Sequence, residues 1–343
     1  MRSTEDLLRR VENLCLANMS AKELREDLLT MLRERVRYDG HVFSLTDPVT
    51  RVATAPHADV PMLPRDRLPE VIRWRYLSSL NRWDTLQGHP ARSLLTATQS
   101  PEESLVWRHV LREVGVVDTA MTTFADRYGA WGYLELWRTS SPFTEAELAV
   151  LTALVPAVTT GLRVAVARTF AHPTDGPRTT GAAVVLLDPD LVVRTQTDDA
   201  AQAFSRLLPP DGSTTAIPAA AYNVAASLIA QEEGVPVGEP WSRVHLGAGR
   251  WVTARASRLG EDIAVSIEGS TPSERIDLFS RSQGFSTRES QVVALLGIGL
   301  DSREIAGQLF LSEHTVNDHV RAALAKSGTR SRQVLLARDT GSG

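Results

Sequence analysis

The sequence predicts a multidomain protein: two α+β domains in series, followed by an all-α domain of four short helices. Three observations carry this. A chain of 343 residues is too long for one ordinary hydrophobic core. Two stretches, "TFAHPTDGPRTT" (169–180) and the shorter "EGSTPS" (268–273), lack apolar periodicity and read as linkers. The apolar spacing alternates between helical and strand-like in the first two segments and stays helical in the last. The expected division is 1–168, a linker at 169–180, 181–268, and 273–343.

The first segment opens with helices. Leu7, Leu8, Val11, Leu14 and Cys15 recur at helical spacing. Ser20 with Glu23 fits a capping box, with Leu24, Leu28, Leu32 and Val36 on one face of the helix it starts. "HVFSLTD" and "RVATAP" flank the turn "PVT" and read as a hairpin. "DTAMTTFAD", "RYGA" and "WGYLELWRT" read as strand, turn and strand. "SPFTEAELAVLTALV" opens a long helix, with Ser141 or Thr144 as its cap. In the second segment, "GAAVVLLDPDLVV" reads as two strands about a turn at Asp188-Pro189-Asp190. Helices are expected near 198–208 and 217–231, and "WSRVHLG", "RWVTARAS" and "DIAVSIE" as three closing strands. Helix, sheet and helix in one segment argue for α+β.

Charge and composition narrow the function. Residues 1–272 carry 28 Lys plus Arg against 33 Asp plus Glu, whereas 273–343 carry 9 against 8, so a slightly basic end sits on an acidic body. Five basic residues and no acid lie in 321–338 (Arg321, Lys326, Arg330, Arg332, Arg338). The single cysteine, Cys15, excludes an intramolecular disulfide and a cysteine-based zinc site. The charged "MRSTEDLLRR" does not resemble a signal peptide. In the most apolar stretch, 148–167, Glu147 and Arg163 bracket fewer residues than the roughly 20 a bilayer span needs. A buried helix bent near Pro156, no membrane and a cytoplasmic location are expected.

Catalytic chemistry is sought and not found. "VVLLDPD" has the form of a phosphoacceptor strand with Asp188 as acceptor, but such a site needs a downstream lysine on the phosphoryl oxygens. The only lysines, Lys22 and Lys326, lie outside this segment. "GIG" (297–299) and "GAG" (247–249) lack the third glycine of a dinucleotide loop. There is no G-x-S-x-G elbow and no H-E-x-x-H. No catalytic residue, cofactor or metal is expected. Five of seven tryptophans fall in the first segment. Trp74, Trp107 and Trp131 are candidates for lining an apolar ligand pocket, and core packing explains them as well. The N-terminal helices fit either a dimer seam or core packing.

The first segment, over roughly 20–168, resembles the GAF family of sensory domains through "WGYLELWR" and "PFTEAELAVLTALVPAV". That resemblance implies small-molecule binding or dimerisation, without naming a ligand. Segment 181–268 resembles a PAS domain by its order of elements.

The last segment is the most informative. Ser286 with Glu289, Asp301 with Glu304, Ser312 and Ser331 mark four helix starts. Ile305, Ala306 and Leu309 form one apolar face, and Val316, Val320 and Leu324 the next. Gly328 stops the third helix. Two of the helices are joined by a tight turn, which is a helix-turn-helix arrangement. The helix after Ser312 keeps a polar face and has the width to enter a DNA major groove.

Residues 284–338 closely resemble the LuxR-type helix-turn-helix, through Thr287, Arg288, Glu289, Gly299, Glu304, Ile305, Ala306, Leu309, Ser312, Thr315, Val316, His319, Lys326 and Gly328. The resemblance implies a transcription regulator that binds double-stranded DNA as a homodimer. It places Asn317, Asp318 and Arg321 toward base edges, and Arg303, Thr315, Lys326 and Arg330 toward phosphates. Departures from the family pattern are Asn317 where Lys is common, the acidic Asp318, which could pair with Arg321, and Ser327 where Leu is usual. The expected function is a regulator whose sensor domains respond to a small molecule or a protein partner. The alternatives are a phosphorelay receiver acting at Asp188 and a partner-binding scaffold without ligand.

Overall fold

The structure, a computed structural model, describes residues 4–86, 88–171, 183–207 and 219–340. Most of the expected linker, from 172 to 180, lies outside the described residues, as do 208 and 217–218 at the edges of two expected helices. The chain forms two compact units. One comprises Met1–Leu162, Gly181–Val244 and Thr253–Glu268; the other comprises Arg163–Thr180, His245–Val252 and Gly269–Gly343.

The first unit begins with α1 (Thr4–Leu16) and α2 (Ala21–Leu32). The capping box at α2 forms as expected: Ser20 Oγ accepts from the Glu23 N–H at 3.2 Å, and Glu23 Oε2 accepts from the Ser20 N–H at 2.8 Å. Leu7, Val11, Leu24, Leu28 and Leu32 are buried, the faces that the spacing marks out. The hairpin β1 (Gly40–Thr46) and β2 (Ala53–Asp59) is antiparallel, with Val42 opposite Ala58. Then come α3 (Leu68–Leu77), β3 (Ala91–Ser93), the single-turn α4 (Leu94–Ala97) and a π-helical turn at Trp107–Leu111. β4 (Asp118–Asp126) and β5 (Gly129–Arg138) complete a sheet of order β2-β1-β5-β4-β3.

α5 (Glu145–Arg168) starts at Thr144, whose Oγ1 accepts from the Glu147 N–H at 3.3 Å, and continues through Pro156. By length and composition it could cross a membrane (mean hydropathy 1.7), but half of that apolar window is buried inside the molecule. Leu151, Leu154, Val158 and Leu162 are at most 3% exposed.

A second sheet has the order β7-β6-β10-β9-β8. Its elements run β6 (Ala183–Leu187), β7 (Val193–Gln196), α6 (Asp198–Leu207), α7 (Ala219–Glu232), β8 (Trp241–His245), β9 (Trp251–Leu259) and β10 (Asp262–Gly269). Asp188 Oδ1 accepts from the Asp190 and Val192 N–H groups, both at 2.9 Å, so this carboxylate closes its own turn.

Both sheets belong to the first unit, and buried polar contacts join them. Asp47 Oδ2 accepts from Arg243 Nε at 2.7 Å, with both side chains at most 1% exposed. Arg82 Nη2 donates to the Pro236 carbonyl at 2.7 Å, and Thr50 Oγ1 to that of Trp241 at 2.8 Å. The backbones approach so closely that a Cβ on Gly238 would lie 1.7 Å from the Thr50 oxygen, which requires glycine there. Breaking either half of the Asp47–Arg243 pair would strand a buried charge, at a cost of about 3–5 kcal/mol. α7 is buried on every face from Ala219 to Ser227 and packs on α3.

The second unit contains α8 (Pro272–Ser282), α9 (Thr287–Gly297), α10 (Ser302–Leu309), α11 (Glu313–Ser327) and α12 (Arg332–Thr340). Five helices stand where four are expected, because α8 begins directly after the second sheet. Thr271 and Glu274 form its capping box with Pro272 in the first turn, so "EGSTPS" is mostly a helix start and only briefly a linker. Phe279 of α8 is fully buried and meets Phe170 and Phe285 edge-on. Val292, Leu296, Ile305, Ala306, Val316 and Val320 form the core of the helical array.

Candidate nucleic-acid interface

Two caps and a short turn set the geometry of α10 and α11. Asp301 Oδ1 accepts from the Arg303 and Glu304 N–H groups, both at 2.8 Å, and Glu304 Oε2 accepts from the Asp301 N–H at 2.8 Å. α10 stops where Phe310 turns left-handed (φ 56°, ψ 47°). Ser312 Oγ then accepts from the Thr315 N–H at 3.1 Å and starts α11. Ile305 and Ala306 pack against Val316 and Val320, which fixes one helix across the other. Gly328, at φ 63°, ends α11 in a conformation that costs a side-chain-bearing residue about 1–2 kcal/mol.

The face of α11 opposite that core is polar and exposed. His314, Asp318 and Arg321 follow one another at helical spacing, with side chains 80%, 50% and 69% exposed. Arg321 Nη1 donates to Asp318 Oδ1 at 2.5 Å, and His314 Nε2 lies 3.5 Å from Asp318 Oδ2. His314 is the residue of this stripe that the sequence reading passed over; the signal was its position four residues before Asp318. Arg303 and Arg330 are exposed. Thr315 is half-buried beside the cap, its Oγ1 2.8 Å from Ser312 Oγ.

Two expected DNA-facing residues hold the helices together. Asn317 is half-buried, and its Oδ1 accepts from Ser302 Oγ at 3.0 Å and Arg332 Nη2 at 2.5 Å, so it ties α10, α11 and α12. Lys326 Nζ donates to Glu289 Oε2 at 2.6 Å and to the Gly284 carbonyl at 3.3 Å, fastening α11 to α9. Burial pushes the Glu289 carboxyl up, but Lys326 and the Ser286 N–H outweigh it and hold the group below its ordinary value of 4.5. Of the remaining basic residues in 321–338, Arg338 donates to the Ser327 carbonyl at 3.2 Å.

The first unit contains a cavity of 90 Å³ between the sheet face of β1, β2 and β5, the helix α3, and the start of α7. Trp83 and Trp137 are its tryptophan walls; Trp74, Trp107 and Trp131 do not line it. Trp74 instead stacks on His109 at 4.0 Å, Trp107 Nε1 donates to the Val116 carbonyl at 3.1 Å, and Trp131 Nε1 to Asp126 Oδ1 at 3.0 Å. One polar feature of the cavity is the ion pair of Arg75 and Glu135, whose side chains are 7% and 4% exposed. Burial raises the Glu135 pKa although Arg75 lies beside it. Among the described residues no cluster of His, Cys, Asp and Glu could hold a metal ion.

Comparison with known proteins agrees with the helical geometry. Residues 283–338 match the family described as bacterial regulatory proteins, luxR family, so the second unit carries a LuxR-type helix-turn-helix domain. The transcriptional regulatory protein LnrK of Bacillus subtilis is 39% identical over 61 residues, which is 18% of this chain and 24% of LnrK. The chain thus spans about a quarter of that relative's length. Among solved structures, Escherichia coli SdiA is similar over 98% of this chain and 96% of its own, with 14% identity and a TM-score of 0.37. SdiA in complex with octanoyl-rac-glycerol is similar over 100% and 90%, with 14% identity and a TM-score of 0.29. Likenesses of that size do not bear on the ligand of this chain.

Proposed function

We propose that the protein is a sequence-specific DNA-binding transcriptional regulator, cytoplasmic and homodimeric, whose first unit responds to a small molecule. The observation that carries this is the stripe His314, Asp318 and Arg321, presented on a doubly capped helix of a LuxR-type domain. In this reading α11 enters the major groove, and Asp318 and Arg321 face base edges. Arg303, Thr315 and Arg330 face phosphates. Asn317 and Lys326 tie α11 to its neighbouring helices. With few cations on this face, two copies are needed to accumulate affinity. The similarity to a transcriptional regulatory protein over 61 residues supports this reading. The GAF-like and PAS-like readings of 1–168 and 181–268 supply the sensing half. A ligand acts by binding one arrangement of the regulator more tightly than the other.

The rival reading, phosphate transfer to Asp188, is disfavoured because the carboxylate is engaged in its own turn. The test is anisotropy of full-length protein on fluorescent duplexes from upstream genomic regions, at low ionic strength, with random duplex as competitor. The regulator reading expects at least one fragment to resist competition. Equal competition on all fragments, with and without candidate effectors, overturns it.

A further inference from the structure

We propose that His314 is a positioning residue for DNA recognition: in its protonated form it pairs with Asp318, which loosens the hold of Asp318 on Arg321 and cancels a negative charge on the DNA-facing side of α11. Duplex binding by this chain is therefore coupled to proton uptake. This deepens the proposed function and rests on it.

The charge on the helix raises the question. Residues 313–321 of α11 carry Glu313 and Asp318 against Arg321, a net charge of −1 while the histidines are neutral. Lys326, the other cation of α11, is engaged with Glu289 at 2.6 Å. A duplex is a polyanion, and affinity accumulates as protein cations replace its condensed counterions. A recognition helix with a net negative charge works against that. His314 and His319 are the side chains of this stretch that can gain a positive charge near neutral pH.

Geometry selects His314. Its side chain is 80% exposed, and Nε2 lies 3.5 Å from Asp318 Oδ2, one turn along the helix. His319 is half-buried, and its spacing from His314 takes it off that stripe. The other oxygen of Asp318, Oδ1, accepts from Arg321 Nη1 at 2.5 Å. The carboxylate thus stands between two basic side chains. While His314 is neutral, Asp318 answers Arg321 alone. A charged imidazole competes for it, and the 3.5 Å gap can close to a charge-assisted hydrogen bond of about 2.7–2.9 Å. Arg321 then turns to a guanine edge at lower cost.

The helices packed on α11 leave this pairing undisturbed. α10 leads into it through 305–312, which holds no charged side chain, while Arg303 and Glu304 lie in the first turn of α10. On α9, Glu289 is held by Lys326, and Arg288 donates to Gln291 of its own helix. On α12, Arg332 donates to Asn317 and Arg338 to the Ser327 carbonyl. Glu313, next to His314 in the chain, is a second acid on the same turn. The phosphates of a bound duplex favour the charged imidazole, so the complex holds more protons than the free protein. Coupling is reciprocal, and affinity for DNA rises as pH falls.

The test is anisotropy of full-length protein on a random-sequence duplex at fixed ionic strength, from about pH 8 down to about pH 5.5, the range in which histidines in general change charge. Circular dichroism checks the fold at each pH. Wild-type affinity is expected to rise about tenfold across the range, the linkage worth of one proton held about tenfold more tightly on DNA. His314→Gln keeps a hydrogen-bonding side chain without the titrating proton, and should stay near its pH 8 affinity throughout. His314→Lys carries a fixed charge, and should bind at pH 8 about as tightly as wild type does at pH 5.5. His319→Gln should titrate as wild type does. Wild-type affinity independent of pH, a pH dependence that survives His314→Gln, or one that disappears in His319→Gln would overturn this role for His314 and leave the regulator reading standing. Absence of duplex binding at every pH would overturn both.

Discussion

Arg321 is held by Asp318 across one turn of α11, with Nη1 to Oδ1 at 2.5 Å on the exposed face of the helix. The guanidinium proposed to fork onto a base is thus already paired before DNA arrives. Binding must exchange one carboxylate for base and phosphate partners. The pair is exposed, so it contributes about 0–1 kcal/mol to stability.

Replacing Asp318 with Asn should free Arg321 and remove a negative charge beside the DNA backbone. Affinity for random duplex should rise several-fold with a steeper salt dependence, and preference at the base that Asp318 faces should change, while thermal stability changes little. Salt-titrated anisotropy on specific and random duplexes measures this.

Lys326 and Glu289 are placed for stability. Lys326→Met should lower the stability of the helical unit by about 1–2 kcal/mol, since it removes a charge-assisted hydrogen bond from a buried carboxylate. Because the folded pKa of Glu289 lies below its ordinary 4.5, its contribution is present above that value and lost as pH falls below it. Urea unfolding of wild type and variant at pH 7 and below pH 4.5 should show the difference shrinking in acid.

His41 and His245 should make the protein sensitive to mild acid. Burial lowers each from 6.5 to about 4, with His57 adding to the effect at His41 and Arg275 at His245. Between those values the unfolded chain binds more protons, so stability falls as pH drops from 6.5 toward 4 and levels off below. Neither ring nitrogen of His41 has a hydrogen-bond partner among the described residues, so His41→Leu orphans no partner there. The variant should flatten the curve by about 2 kcal/mol across that window.

Phe310 is 95% exposed and left-handed at φ 56°. Phe310→Gly removes the left-handed strain at the price of a looser unfolded chain, and should stabilise by about 0.5–1 kcal/mol. Calorimetry on the two proteins decides it.

The helical array was legible because its signals are local. Ser20, Ser286, Asp301, Ser312 and Gly328 act within one turn of themselves, and each forms the cap its neighbours imply. The same signal was present at Thr271 and Glu274, and the Pro- and Ser-rich surroundings disguised it as a linker. α3 was not legible, since Arg75 occupies a buried position on it and is tolerated only through Glu135, sixty residues away. The union of the two sheets rests on Asp47 with Arg243, at a separation of 196 residues, which no periodicity reports. For the site, spacing alone located the exposed face of α11. It could not show that Asn317 and Lys326 turn toward Arg332 and Glu289, because that depends on which helix lies behind.

The central claim is that the exposed face of α11 reads DNA sequence. Its most direct test is selection from a random duplex pool with full-length wild type, Arg321→Ala and Arg330→Ala. The account predicts an enriched motif for wild type and a changed preference at one position per half-site for Arg321→Ala, worth about 1–3 kcal/mol. For Arg330→Ala it predicts the unchanged motif, bound more weakly, with the salt slope reduced by about one per subunit. An Arg321→Ala motif identical to wild type, or no enrichment by the wild type over random duplex, would contradict it.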